Sequence, residues 1–196
     1  MPSPRRLARA RAGRRSRRPR LERHALMDIT VVQGDITRQE VDAVVNAASS
    51  RMRGGGGVDG AIHRAGGPAV LEDCVRRFPD GLPTGEAGWT TAGDLPARWV
   101  IHVVGPNHAA GQRDRSLLLS CYTRALAVAD ELGAATLAFP LVSAGIYGWP
   151  KDDAVAAALE ALRSADAAGT AVTEARIVAF DAATYELVRA ALHVES

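Results

Sequence analysis

Asn46 and Asp59, with the four glycines Gly54, Gly55, Gly56 and Gly57 between them, are the residues here whose types and spacing suit chemistry. Asn46 sits in an apolar run, residues 41–48, rich in Val and Ala, which reads as a buried strand. Asp59 falls in the first turn of a helix beginning near Val58, where a carboxylate suits the positive end of the helix dipole. Backbone without Cβ approaches a ligand closely and adopts positive φ, and bare N–H groups at a helix N-terminus favour anions. The chemistry this implies is the holding of a phosphate or nucleotide; the alternative is a flexible strand-to-helix loop.

The elements that must position these groups alternate. Residues 28–33 read as a strand, followed by the turn Gly34-Asp35-Ile36-Thr37 and a single helical turn. After the glycine loop come helices over 58–64 and 69–78, the second opened by Pro68. Residues 86–92 and 98–104 read as two strands whose short Gly93-Asp94-Leu95-Pro96 connection implies an antiparallel pair. A long amphipathic helix, 115–132, ends at Gly133. Residues 136–140 form a buried strand, 143–150 a second glycine-bearing loop, 152–165 a helix, 175–180 the last strand and 182–192 the last helix. Strands alternating with helices, plus one hairpin-like pair, predict an α/β fold with a mixed sheet covered on both faces. Four loops follow four strands: Gly34-Asp35, residues 46–57, residues 143–148, and Phe180-Asp181. Ligands in such folds sit at the carboxyl ends of strands, so the loops are expected to converge on one site.

Composition bounds the rest. A chain of 196 residues with 47% apolar content holds one domain and one core. No apolar run approaches the ~18 residues that span a bilayer, so the expectation is a soluble protein with no membrane partner. Cys74 and Cys121 fit neither a metal-ligand spacing nor a disulfide framework and read as core residues in a reducing, cytoplasmic compartment. The charge is segregated: residues 1–26 carry ten Arg against Glu22, a balance of +9 within an overall +2, which leaves −7 for residues 27–196. That leader lacks the apolar core of a secretory signal and is expected to be disordered. It reads either as an arm for nucleic acid or as translation upstream of a start at Met27; the single Lys among 24 basic residues suggests a GC-rich gene and favours the second.

Four stretches carry a resemblance: VVQGDIT, VVNAAS with GGGGVDGAIHRAGG, HVVGP, and FPLVSAGIYGWP, in this order and spacing. Together they resemble the macrodomains, and within them the O-acetyl-ADP-ribose deacetylases and mono-ADP-ribosyl hydrolases, over about residues 29–192. The resemblance implies a three-layer α/β/α fold over residues 27–196 with a mixed central sheet. It implies a monomer that binds ADP-ribose or O-acetyl-ADP-ribose, acts on mono-ADP-ribosylated proteins, and needs neither metal nor cofactor.

Carried onto this sequence, the resemblance makes Asp35 the acceptor of the adenine amino group, with the Ile36 N–H beneath the ring; an N-cap is the other role open to Asp35. Asn46 belongs to the ligand site, and Gly55, Gly56, Gly57 and Val58 line the pyrophosphate and distal ribose. Ser143, Ala144, Gly145, Ile146 and Tyr147 close over the phosphates, with Tyr147 beside the distal ribose. Phe180 lies against adenine, or else packs in the core. Asp59 orients or deprotonates water near the anomeric or ester carbon. His63 shares its helical face and, like His102, reads as structural.

One departure from the pattern matters most. The family has Asn-Ala-Ala-Asn where this chain has Asn46-Ala47-Ala48-Ser49, and the second Asn helps hold the distal ribose against the catalytic acid. The Ser49 hydroxyl is shorter and does not span donor and acceptor as an amide does. Arg51 and Arg53 replace small or apolar residues and add positive charge. The expectation is hydrolysis of ester-linked ADP-ribose; the alternatives are a non-catalytic ADP-ribose reader, because of Ser49, and a hydrolase of ADP-ribosylated nucleic acid, because of the arginines.

Overall fold

The computed structural model describes residues 26–194; the leader reading, which concerns residues 1–26, falls outside them in all but its last residue. Among the described residues the order is β1 (Asp28–Gln33), β2 (Ala43–Ala47), α1 (Gly57–Gly66), α2 (Pro68–Arg77), β3 (Ala87–Thr91), β4 (Trp99–Val103), α3 (Arg115–Leu132), β5 (Thr136–Phe139), α4 (Lys151–Ala168), β6 (Glu174–Ala179) and α5 (Ala182–His193). Single 3-10 turns add Ile36–Arg38 and His108–Ala110. The strands form one sheet in the order β1-β6-β5-β2-β4-β3. All neighbours run parallel except β3 and β4, the antiparallel pair expected from their short connection.

Side chains alternate between the two faces of each strand. Ala43, Val45, Ile101, Val103, Leu137, Phe139, Ala175 and Ile177 form one buried face, covered by Leu118, Tyr122 and Leu126 of α3, Val155, Leu159 and Leu162 of α4, and Val188 of α5. Val44, Val100, Ala138 and Val178 form the other, against Ile62 of α1, while Cys74 of α2 packs with Met52 and Val104. Each such large side chain contributes about 1.5–3 kcal/mol by leaving water. The result is the mixed α/β sheet, layered by helices on both faces, that the alternation of elements predicts.

The helix ends follow their residue chemistry. Asp114 caps α3 by accepting from Ser116 N at 2.9 Å, and Gly133, at φ 68°, ends it. Gly67, at φ 74°, closes α1, and Pro68 opens α2 in the next position. Most boundaries fall within one or two residues of expectation, and two of the shifts have a visible cause. β2 begins two residues late because the Asp42 carboxylate is engaged by Ala135 N and Thr136 N at the start of β5. α4 runs on past Ala165 because nothing breaks it before Gly169, at φ 89°.

Cys74 and Cys121 are buried and unpaired, as expected. Burial pushes their thiols up to about 11 and about 12, so neither is a thiolate at neutral pH. Among the described residues no helix is long and apolar enough to cross a membrane.

Because five strands are parallel, their carboxyl ends share one edge of the sheet. On the α1 side of that edge the alternation that buries Val44 and Val100 also buries Asn46 and His102, which face each other in register.

Candidate functional site

The first component is the backbone between β2 and α1. Gly54 and Gly57 adopt φ 79° and 58°, the left-handed region that favours glycine. Unlike α3 and α5, which Asp114 and Asp181 cap, α1 begins at Gly56 with no side chain to accept its first N–H groups. The N–H groups of Gly55, Gly56, Gly57, Val58 and Asp59 therefore have no acceptor among the described residues. Five such donors at a helix N-terminus form an anion cradle.

Asp59 sits in the floor of that cradle, 4% exposed. Its Oδ1 accepts from Asn46 Nδ2 at 2.7 Å and lies 3.4 Å from His63 Nε2. Its Oδ2 faces Gly55, where a Cβ would stand 3.1 Å away. Burial pushes this carboxyl up, but the hydrogen bonds of His63 and Asn46 and the charges of His63 and His102 outweigh it. The net effect holds Asp59 below the usual carboxylate range. At neutral pH it is an anion with one oxygen engaged and the other turned towards the glycine loop. His63 belongs to this group: its ring packs under Gly54 and its Nε2 faces the carboxylate.

A second loop faces the first. Ile146, 74% exposed, places its Cδ1 3.3 Å from where a Gly56 Cβ would stand and 3.4 Å from that of Gly57. Gly145, Ile146 and Tyr147 also present N–H groups without an acceptor among the described residues. Ser143 is buried at φ 63°, and its Oγ meets no partner among the described residues. The base of this loop is fixed by the buried Tyr122 hydroxyl, which accepts from Val142 N at 3.0 Å. A loop that sequence reasoning left without a role braces it. A Cβ on Gly105 would come within 2.3 Å of Ser143 Oγ, Ala109 N donates to the Tyr147 carbonyl at 3.0 Å, and His108 meets Trp149 edge-on. The HVVGP stretch is visible in the sequence, but its place beside β2 and against the loop that follows β5 depends on strand order.

The third corner lies at the ends of β1 and β6, joined by Gly34 N donating to the Ala179 carbonyl at 2.9 Å. Asp35 takes the N-cap role: its Oδ1 accepts from Thr37 N at 2.9 Å and Thr37 Oγ1 at 2.7 Å. These bonds lower its pKa, and among the described residues only Arg38, at 3.8 Å, approaches its Oδ2 as an ion pair. The Ile36 side chain is buried and its N–H has no acceptor among the described residues. Phe180 is 86% exposed, so the core-packing alternative does not hold.

Arg53 is engaged within the domain. The Arg53 guanidinium donates to the carbonyls of Arg51, Met52, Phe78 and Pro79 at 3.0–3.1 Å. It ties the glycine loop to the carboxyl end of α2 and is not a spare cation for a phosphate backbone. Ser49, half-buried just beyond β2, makes no side-chain hydrogen bond among the described residues; its carbonyl accepts from Met52 N at 3.0 Å. Among the described residues no three His, Cys, Asp or Glu gather as metal ligands.

Fold and site together define an α/β/α domain with an anion cradle at the carboxyl edge of its sheet and a buried carboxylate in the cradle's floor. The family model for the Macro domain matches residues 45–158, and the chain belongs to that family. It is 57% identical to a macro domain-containing protein of Streptomyces coelicolor, over 84% of this chain and 98% of that one. It is 46% identical to an O-acetyl-ADP-ribose deacetylase of Pantoea vagans, over 81% and 95%. Among solved structures, the Trypanosoma brucei macrodomain in complex with ADP-ribose aligns with a TM-score of 0.79 at 37% identity, covering 87% of this chain and 72% of that one.

Proposed function

We propose that this protein binds ADP-ribose and hydrolyses ester linkages to its distal ribose, as in O-acetyl-ADP-ribose and mono-ADP-ribosylated carboxylates on proteins. The observation that carries the reading is the ionised Asp59 beneath eight unengaged backbone donors on two facing loops. In this reading the diphosphate lies between the loops, against the N–H groups of Gly55, Gly56, Gly57, Val58, Gly145, Ile146 and Tyr147. Such donors are fixed before the ligand arrives, so their orientation costs nothing on binding. Adenine lies at the third corner, with its amino group donating to Asp35 Oδ2 and its ring against Phe180.

The distal ribose then stands over Asp59. Water adds to the ester carbonyl carbon, the bond from that carbon to the ribose oxygen breaks, and the ribose oxygen takes up a proton. Asp59 Oδ2 accepts a hydrogen from the attacking water, and His63 and Asn46 steady the carboxylate as it does so. The similarity to the Pantoea vagans deacetylase supports this reaction class. A second reading rests on Ser49: with a short hydroxyl where the family has an amide, the domain binds ADP-ribose as a reader and does not turn it over.

Titration calorimetry with ADP-ribose tests the binding. The expected Kd is micromolar, about −8 kcal/mol, and Asp35→Ala weakens ADP-ribose more than ribose 5-phosphate. Absence of heat and of thermal stabilisation at millimolar ligand would remove the reading.

A further inference from the structure

The polar chain behind Asp59 runs two residues further than Asn46. His102, fully buried on β4, sets its Nδ1 3.1 Å from Asn46 Nδ2. Its Nε2 lies 2.8 Å from the hydroxyl of Thr90, a buried residue of β3. Thr90 Oγ1 in turn donates to the Thr91 carbonyl at 3.0 Å. One line of contacts thus joins α1, β2, β4 and the edge strand β3.

Proton positions follow from either end of this line. An ionised carboxylate only accepts, so the Asn46 atom 2.7 Å from Asp59 Oδ1 is its NH2 group. That group has two hydrogens. The second points at His102 Nδ1, which must be a lone pair. At the far end, a Thr90 hydroxyl that donates to the Thr91 carbonyl accepts from His102 Nε2, which places the ring's one proton on Nε2 and agrees with the lone pair on Nδ1. Burial, aided by the charge of His63, pushes His102 down to about 3 against the opposing pull of Asp59 and Asp73, so the ring holds one proton at neutral pH. Cys74 Sγ, 3.7 Å from Nε2, is a protonated thiol and a weak acceptor beside Thr90. With both its hydrogens engaged, Asn46 turns Oδ1 away; that atom is buried and has no donor among the described residues.

We propose that His102 and Thr90 are positioning residues: held as the Nε2–H tautomer by Thr90, His102 locks the Asn46 amide with its NH2 towards Asp59. This rests on the hydrolase reading of the site. The opposite tautomer would present N–H to Asn46 and turn the amide, bringing Oδ1 against the carboxylate. Asp59 would then exchange a donor for a repulsive neighbour. The same contacts serve the fold, so the test needs readouts that mere stability would not move.

Imidazole nitrogen NMR of the wild-type protein reads the tautomer, and carboxyl carbon NMR reads the Asp59 titration. His102 is expected as Nε2–H. Thr90→Val, which removes the acceptor, raises the Asp59 pKa and lowers kcat for O-acetyl-ADP-ribose by about tenfold, the scale on which small misplacements act, while KM changes little. Thr90→Ser, which keeps the hydroxyl, recovers most of the loss. An Nδ1–H tautomer in the wild type overturns the proposal without any variant. So does a folded Thr90→Val with unaltered kcat and Asp59 titration. If the wild type shows no turnover, the hydrolase reading fails, while the tautomer and the Asp59 titration still decide the positioning.

Discussion

Asn46 donates to Asp59 at 2.7 Å across the boundary between a buried strand and the helix that follows the glycine loop. Together with the hydrogen bond from His63, which weighs more, this contact keeps the carboxylate ionised in a place where burial alone would favour protonation.

Replacing that donor by a second carboxylate reverses the balance. In Asn46→Asp two like charges meet at hydrogen-bond distance beside His102, so the folded protein binds an extra proton somewhere in this group. A raised folded pKa contributes stability at low pH that is lost as pH rises through it. Wild-type Asp59 behaves oppositely: its depressed pKa contributes stability above the ordinary carboxylate range, lost as pH falls below it. Thermal melts from pH 5 to 8 are expected to show Asn46→Asp losing stability towards pH 8, by about 1.4 kcal/mol per unit of raised pKa, relative to the wild type. Parallel curves would show that the two side chains are not coupled.

The glycines of the first loop and of the helix it opens differ in tolerance. A Cβ at Gly60 would stand 2.5 Å from the Gly55 carbonyl, a backbone atom that must move. A Cβ at Gly56 would meet only the exposed tip of Ile146, at an ordinary φ of −94°. Gly60→Ala is expected to cost about 1–3 kcal/mol, the usual range for overpacking, and Gly56→Ala close to nothing, by urea unfolding. Equal costs would mean that the loop yields as a whole.

Much of this site was legible in the residues, and the limits have physical causes. Residues 28–33 and 115–132 were readable to the residue because alternation and a C′ glycine mark them. The convergence of the glycine loop with residues 143–148 followed from placing both at strand carboxyl ends. His63 was harder: its spacing from Asp59 shows a shared face, but only packing shows that the face turns into the site. The charge of Arg53 was visible, whereas its acceptors at Phe78 and Pro79 lie 25 and 26 residues away. The Asn46–His102 pair depends on β2 lying beside β4 in register, which local pattern does not encode.

Ser49 stands where the Asn-Ala-Ala-Asn pattern that this chain resembles has its second amide. Its hydroxyl is unengaged among the described residues and sits at the end of the strand that carries Asn46. In Ser49→Asn a longer amide can reach the distal ribose. One added hydrogen bond is worth roughly 0.5–1.5 kcal/mol, a few-fold tighter binding. Better orientation of the ribose is expected to raise kcat by more than about tenfold. Tighter binding with no turnover in either protein would favour the reader.

The most direct measurement is chromatography of O-acetyl-ADP-ribose incubated with the wild-type protein and with Asp59→Ala. The account predicts release of ADP-ribose and acetate by the wild type, at least about 10²-fold slower in the variant, with ADP-ribose affinity nearly unchanged. Release at the same rate by both proteins, or by neither above the uncatalysed rate, would contradict it.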